Sequence, residues 1–87
     1  MTFQMAYDDA LVVGREAVFV VSDDWHQKVR VMITEASEEG GERVFAGHSY
    51  GSSVRGIKAA KKDETPVCVQ GRLALNDGVW AGSVENA

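Results

Sequence analysis

The apolar residues of this chain recur at every second position over most of its length, and this spacing constrains the fold more than any other feature. Val29, Val31 and Ile33 alternate with other residue types, and Phe3 and Met5 alternate in the same way near the start. Successive side chains of a β-strand point to opposite faces, so a period of two indicates strands with one buried face. The sequence therefore predicts a β-rich domain.

The strongest local signal is a hairpin around Asp77-Gly78, which lies between two apolar segments. Asp-Gly is a favoured pair for a two-residue hairpin turn, because both positions of that turn need a positive φ. A turn at this point places Leu75 opposite Trp80 and Leu73 opposite Gly82. We expect Trp80 to lie on the core face.

Further strands are predicted before this hairpin. The residues from Leu11 to Val21 form either one strand bent at Gly14 or two strands with a tight turn there. A loop follows at Ser22–His26. Lys28–Thr34 and Arg43–Tyr50 then form a second hairpin around the turn residues 38–41.

The register of this second hairpin decides which way Ser49 faces. Pairing Val29 with His48 sends Ser49 outward, and this is the arrangement we favour. A slip of one residue pairs Ile33 with Phe45 and buries Ser49, because it exchanges the two faces of the strand.

One short helix is predicted over residues 52–62, with Ser52 and Ser53 as possible caps and an end before Pro66. The resulting order is β-β-β-α-β-β. We therefore expect a single α+β, β-rich domain over residues 1–87, built as a small barrel or curled antiparallel sheet of five to six strands. OB-like and SH3-like barrels both fit this order.

Length and composition narrow the classes of protein. A chain of 87 residues with 45% hydrophobic and 25% charged residues is typical of one small soluble domain. One cysteine permits no disulfide framework, no apolar run is long enough for a membrane helix, and Asp8 and Asp9 are unlike a signal peptide. We expect a cytoplasmic protein that is neither secreted nor membrane-spanning.

The segment 47–51 reads G-H-S-Y-G, which matches G-x-S-x-G and resembles the nucleophile elbow of α/β-hydrolases. The resemblance would make Ser49 the nucleophile, with an acid and a histidine later in the chain. No histidine follows Ser49, and His26 is expected on the order of 10 Å farther along the hairpin. We therefore expect no catalytic residues and interpret the glycines as permitting a tight corner; a miniature serine hydrolase is the less favoured alternative.

Metal and cofactor chemistry has little support in the sequence. Asp23, Asp24 and His26, with or without His48, match no recognisable site in number or spacing. Cys68 lies within an apolar run, and we interpret it as a small buried hydrophobic residue. No metal site and no cofactor are predicted.

A basic stripe stands out on this acidic chain, whose net charge is −4, because four of its nine cations fall between positions 55 and 62. Such a stripe is most often a solvated helix face, and nucleic-acid binding normally needs a broader positive surface. The stripe and the aromatic residues near strand ends nevertheless make the best candidate contact surface. Its residues are Trp25, Arg30, Tyr50, Arg55, Lys58, Lys61 and Lys62.

The function predicted from these features is a small non-catalytic binding or accessory module that mediates protein–protein interaction. A homodimer is one option, because small domains often cover apolar surface by association. The alternative is an OB-like module that binds single-stranded nucleic acid.

Overall fold

A computed structural model describes residues 2–6, 11–51, 57–60 and 65–87 of the protein. These residues contain six antiparallel strands. Each strand pairs with the next one in sequence, and β1 also pairs with β6, so the sheet closes into a barrel. The strands are β1 (Phe3–Met5), β2 (Glu16–Val21), β3 (Asp24–Glu39), β4 (Glu42–Tyr50), β5 (Val67–Asn76) and β6 (Val79–Asn86).

The barrel prediction is confirmed, but its finer details are not. The strand order is up-and-down, whereas an OB fold is a five-stranded Greek-key barrel, so the OB-like option is wrong. No helix occurs among the described residues, and the α+β assignment is not shown. The helix predicted over 52–62 lies mostly outside the described residues. Its described part, 57–60, is not helical, and Ala60 instead forms a parallel β-bridge with Tyr50.

The hairpin of β5 and β6 forms in the predicted register. Leu75 lies opposite Trp80, and Leu73 lies opposite Gly82. Asp77 and Gly78 have φ values of 53° and 80°, as a two-residue hairpin turn requires. Trp80 is partly buried and packs against the core, which agrees with its predicted face.

The hairpin of β3 and β4 forms in a different register from either predicted one. Its turn is Gly40-Gly41, with φ values of 59° and 81°, and a bulge interrupts the pairing between Ile33 and Glu35. As a result Ser49 lies opposite Val31. Ser49 is fully buried, so the preferred outward orientation is wrong. Phe45 and Gly47 share this buried face of β4, and the bulge in β3 places Val31 and Ile33 opposite it, which turn residues alone do not reveal.

The residues before β3 also differ from the prediction. Gly14 lies in a turn with a φ of 87°, closed by a hydrogen bond of 3.1 Å from the Arg15 amide to the Val12 carbonyl. Only the part after this turn, from Glu16 onward, is a strand. The predicted loop at 22–26 is shorter than expected, because β3 already begins at Asp24.

Inward-facing side chains fill the barrel. Phe19 and Phe45 stack at its centre, with ring centroids 4.8 Å apart and planes 10° from parallel. Ile57 and Ala60 are buried as well, so the segment between β4 and β5 contributes to the core. The valines and isoleucine that alternate in β3 are buried as predicted: Val29, Val31 and Ile33.

Cys68 is exposed, so its interpretation as a buried residue is wrong. Val69 is fully buried, and Gly71 and Leu73 share its face of β5. Strand alternation therefore turns Cys68 to the outside, where it lies opposite His48 of β4.

Candidate binding cleft

The serine of the G-H-S-Y-G segment is held inside the barrel wall. Its Oγ donates a hydrogen bond to the backbone carbonyl of Lys58 and lies 3.4 Å from the carbonyl oxygen of Val67. His48 points to the opposite face of β4, and His26 lies five residues beyond Val31 along β3, where Val31 is the partner of Ser49. This arrangement gives Ser49 a structural hydrogen bond and brings no histidine to it from β3.

The first glycine of the same segment has a steric role. A Cβ atom at Gly47 would lie 2.1 Å from the carbonyl oxygen of Met32 on the neighbouring strand. Real Cβ atoms do not approach backbone that closely, so β3 and β4 can pack here only around glycine. The segment that resembles a catalytic elbow therefore has a packing explanation at Gly47.

The predicted contact residues are only partly brought together. Arg30 and Tyr50 are direct partners across β3 and β4, and both lie on the outer face. The exposed Lys58 is held in the same region by two hydrogen bonds. Its carbonyl accepts one from the Ser49 hydroxyl, and its amide donates one of 3.0 Å to the Asn86 side chain. Trp25 is 53% exposed but lies near the start of β3, five residues from Arg30. Arg55, Lys61 and Lys62 lie outside the described residues.

A cleft with a volume of about 740 Å³ lies on the outer face of strands β3 to β6. Two rows of residues cross it from strand to strand. The first row is Glu35, Ala46, Gln70 and Glu85, and the second is Ser37, Val44, Arg72 and Ser83. Val13, Ala36, Phe45 and Gly71 complete the lining. Five of the twelve lining residues are small, and carboxylates stand at both ends of the first row. The small residues are Ala36, Ser37, Ala46, Gly71 and Ser83.

The bulge in β3 shapes this cleft. Bulges bend a strand and increase its twist, and this one lies at Thr34, next to the first row. The Thr34 hydroxyl donates a 3.2 Å hydrogen bond to the Ala46 carbonyl, which ties the bent strand to β4. The loop that carries Val13 is held next to the bulge, because the Gly14 amide donates a hydrogen bond of 2.9 Å to the carbonyl of Ile33.

The cleft is surrounded by more negative than positive charge. Arg72 forms salt bridges of 3.0 Å with both Glu39 and Glu42. Two carboxylates therefore already neutralise its single positive charge. Hydrogen bonds to Glu42 and then to Glu39 raise the pKa of Arg72, which keeps the guanidinium cationic. Glu85 accepts a 3.2 Å hydrogen bond from the Gln70 amide, which is neutral. The first row therefore carries two carboxylates and no cationic side chain.

Sequence reasoning missed this cleft, since its residues come from four strands and form no motif. The only available signal in the sequence was the concentration of glutamates between positions 35 and 42. Among the described residues no group of three His, Cys, Asp or Glu side chains is placed to hold a metal ion.

Comparison with known proteins gives no relative: no family model matches the chain, and no curated protein or solved structure matches it significantly. The described residues also contain no helix with the length and hydrophobicity needed to cross a membrane. Any functional assignment therefore depends on the geometry of the cleft and its surroundings.

Proposed function

We propose that this barrel is a non-catalytic binding module, and that its cleft holds an extended, positively charged segment of a partner protein. The observation that carries the proposal is the first row of the cleft, in which Glu35 and Glu85 stand on either side of Ala46 and Gln70. Small floor residues allow a peptide backbone to approach the sheet, and the two carboxylates offer partners for lysine or arginine side chains.

The open shape of the cleft supports a peptide in preference to a small ligand. Four adjacent strands span about 14 Å, since neighbouring strands are about 4.8 Å apart. The cleft lies open on the outside of the barrel, whereas small-molecule pockets enclose most of their ligand. An extended segment can instead lie across the four strands along the first row, with its ends near Glu35 and Glu85 and its middle over Ala46 and Gln70.

The charge favours a basic protein segment over nucleic acid. Phosphates require several lysine or arginine contacts, and the carboxylates of Glu35 and Glu85 would repel them. The up-and-down strand order also lacks the OB-fold surface on which the nucleic-acid alternative was based. Residues 55–62 are the basic stretch of this chain, and the same stretch of a second copy could also supply a positively charged segment. The experiment must therefore distinguish a partner protein from a second copy.

The test is fluorescence anisotropy with a short labelled peptide that alternates lysine and valine, titrated at low and high salt. We expect binding that weakens with salt, and a loss of roughly three- to tenfold in affinity in the double variant Glu35→Gln/Glu85→Gln. Asp23→Asn, in the turn before β3, is the matched control and should bind like the unaltered protein.

Three results would overturn the proposal. The double variant could bind the peptide as well as the control does, or a matched peptide of glutamate and valine could bind equally. A single-stranded oligonucleotide could bind with salt dependence and compete with the peptide. Sedimentation equilibrium of the protein alone tests separately for a second copy. If the protein is a dimer and the double variant is a monomer, the occupant of the cleft is a second copy of this chain and not another protein.

A further inference from the structure

A row of three potential ligands crosses the outer face immediately beyond the cleft. Met32 of β3 lies opposite His48 of β4, and His48 lies opposite Cys68 of β5. The row thus presents a thioether, an imidazole and a thiol from three adjacent strands. It is independent of the carboxylates of the cleft and of the function proposed for them.

The accessibility of these side chains suits a surface site. Cys68 is exposed, and Met32 and His48 are half-buried, so the row is reachable from solvent yet anchored in the sheet. Cys68 is also the only cysteine of the chain, which means that no disulfide within the chain competes for its sulfur.

The spacing allows the three groups to share one ion. Directly opposite residues on neighbouring strands have Cβ atoms about 4.5–5.5 Å apart. Two ligand atoms on one metal lie within about 4.5 Å of each other, since each bond is about 2.0–2.3 Å long. His48 occupies the centre of the row, and the flexible side chain of Met32 can cover the remaining distance toward Cys68.

The ligand types select a soft monovalent ion. No three His, Cys, Asp or Glu side chains among the described residues are placed together to hold a metal ion, so a metal on this row would need the Met32 thioether as its third ligand. Thiolate and thioether sulfur favour copper(I), whereas magnesium and calcium take oxygen ligands. We propose that Met32, His48 and Cys68 form a binding site for one copper(I) ion.

The binding step is a ligand exchange without electron transfer. Copper(I) forms bonds to the sulfur of Cys68, a ring nitrogen of His48 and the sulfur of Met32. The thiol proton of Cys68 is released to solvent, because the thiolate is the form that binds metal.

The test is anaerobic titration of the reduced full chain with copper(I) in competition with a chromogenic chelator. We expect one ion per monomer. Cys68→Ser should abolish competition, and Met32→Leu and His48→Gln should each weaken binding by at least roughly tenfold, the loss seen even for outer-shell partners of a metal. Glu16→Gln is the control, since Glu16 continues the same row on β2 but supplies no soft ligand. It should bind copper(I) like the unaltered protein.

A second measurement identifies the ligands directly. Silver(I), which is redox-stable, should shift the NMR signal of the Met32 methyl group but not that of the buried Met5. The proposal is overturned if Cys68→Ser binds as tightly as the unaltered protein. It is also overturned if only Cys68 matters and Met32→Leu and His48→Gln bind normally, or if one ion links two chains through their thiolates.

Discussion

Ser49 of β4 donates its hydroxyl hydrogen to the backbone carbonyl of Lys58, nine residues later in the chain. Ser49 is fully buried, and the backbone of the same region adds two hydrogen bonds of 3.1 Å, between Ala60 and its neighbours Ser49 and Gly51. The segment that carries Ile57 is thereby held against the barrel. The serine of the elbow-like motif thus stabilises the core.

Removing this hydroxyl should destabilise the fold. We expect Ser49→Ala to lower the free energy of unfolding by about 1 kcal/mol, because the part-buried hydrogen bond to the Lys58 carbonyl is lost. Urea denaturation measures the change. Ser83→Ala, at an exposed serine of the cleft, should alter stability by less than about 0.5 kcal/mol.

The same burial predicts that Ser49 does not react with a fluorophosphonate probe under native conditions. Mass spectrometry of the treated, folded protein should find no adduct at this residue. A stoichiometric adduct would restore the hydrolase hypothesis and contradict the structural role.

Gly47 should be less tolerant than the turn glycines. In Gly47→Ala the new methyl group would meet the Met32 carbonyl, and we expect a loss of about 3 kcal/mol or more. Gly40→Ala, where the space is open but φ is 59°, should cost only about 1–2 kcal/mol. Thermal denaturation of both variants compares the two costs, and equal losses would show that the close contact is unimportant.

Arg43 stacks on Trp80, with its guanidinium carbon 4.0 Å from the ring centroid. Arg43→Lys keeps the charge but loses the planar stacking. We therefore expect the free energy of unfolding to fall by about 0.5–2 kcal/mol. Arg30→Lys, at an exposed site, is the control. The unfolding can be followed by Trp80 fluorescence in a Trp25→Phe background, and an unchanged midpoint would contradict the prediction.

Asp77 adopts a φ of 53°, which most residues disfavour. Asp77→Val should therefore destabilise the hairpin by about 1–2 kcal/mol, whereas Asp77→Gly should stay within about 0.5 kcal/mol of the unaltered protein. Chemical denaturation distinguishes these outcomes. If valine were tolerated as well as glycine, the turn geometry would have to be different.

The parts of the fold that follow from neighbouring residues were predictable. Alternation along β3 marked Val29, Val31 and Ile33 as buried, because the two faces of a strand are set by the backbone itself. The pairing of Leu75 with Trp80 followed from Asp77-Gly78, since a two-residue turn leaves one possible register.

The remaining features depended on contacts between distant residues. The bulge at Thr34 placed Val31 opposite Ser49, and Cys68 turned outward because Val69 was needed in the core. The cleft joins Glu35 to Glu85, which are far apart in sequence.

By itself the sequence determined most of the strand segments and where one turn lies, because alternation and φ preferences are properties of adjacent residues. Only the tertiary structure decided the registers, the closure of β1 onto β6 and the rows of the outer face. Those depend on how side chains from separate strands fill one core, and no local pattern encodes that packing.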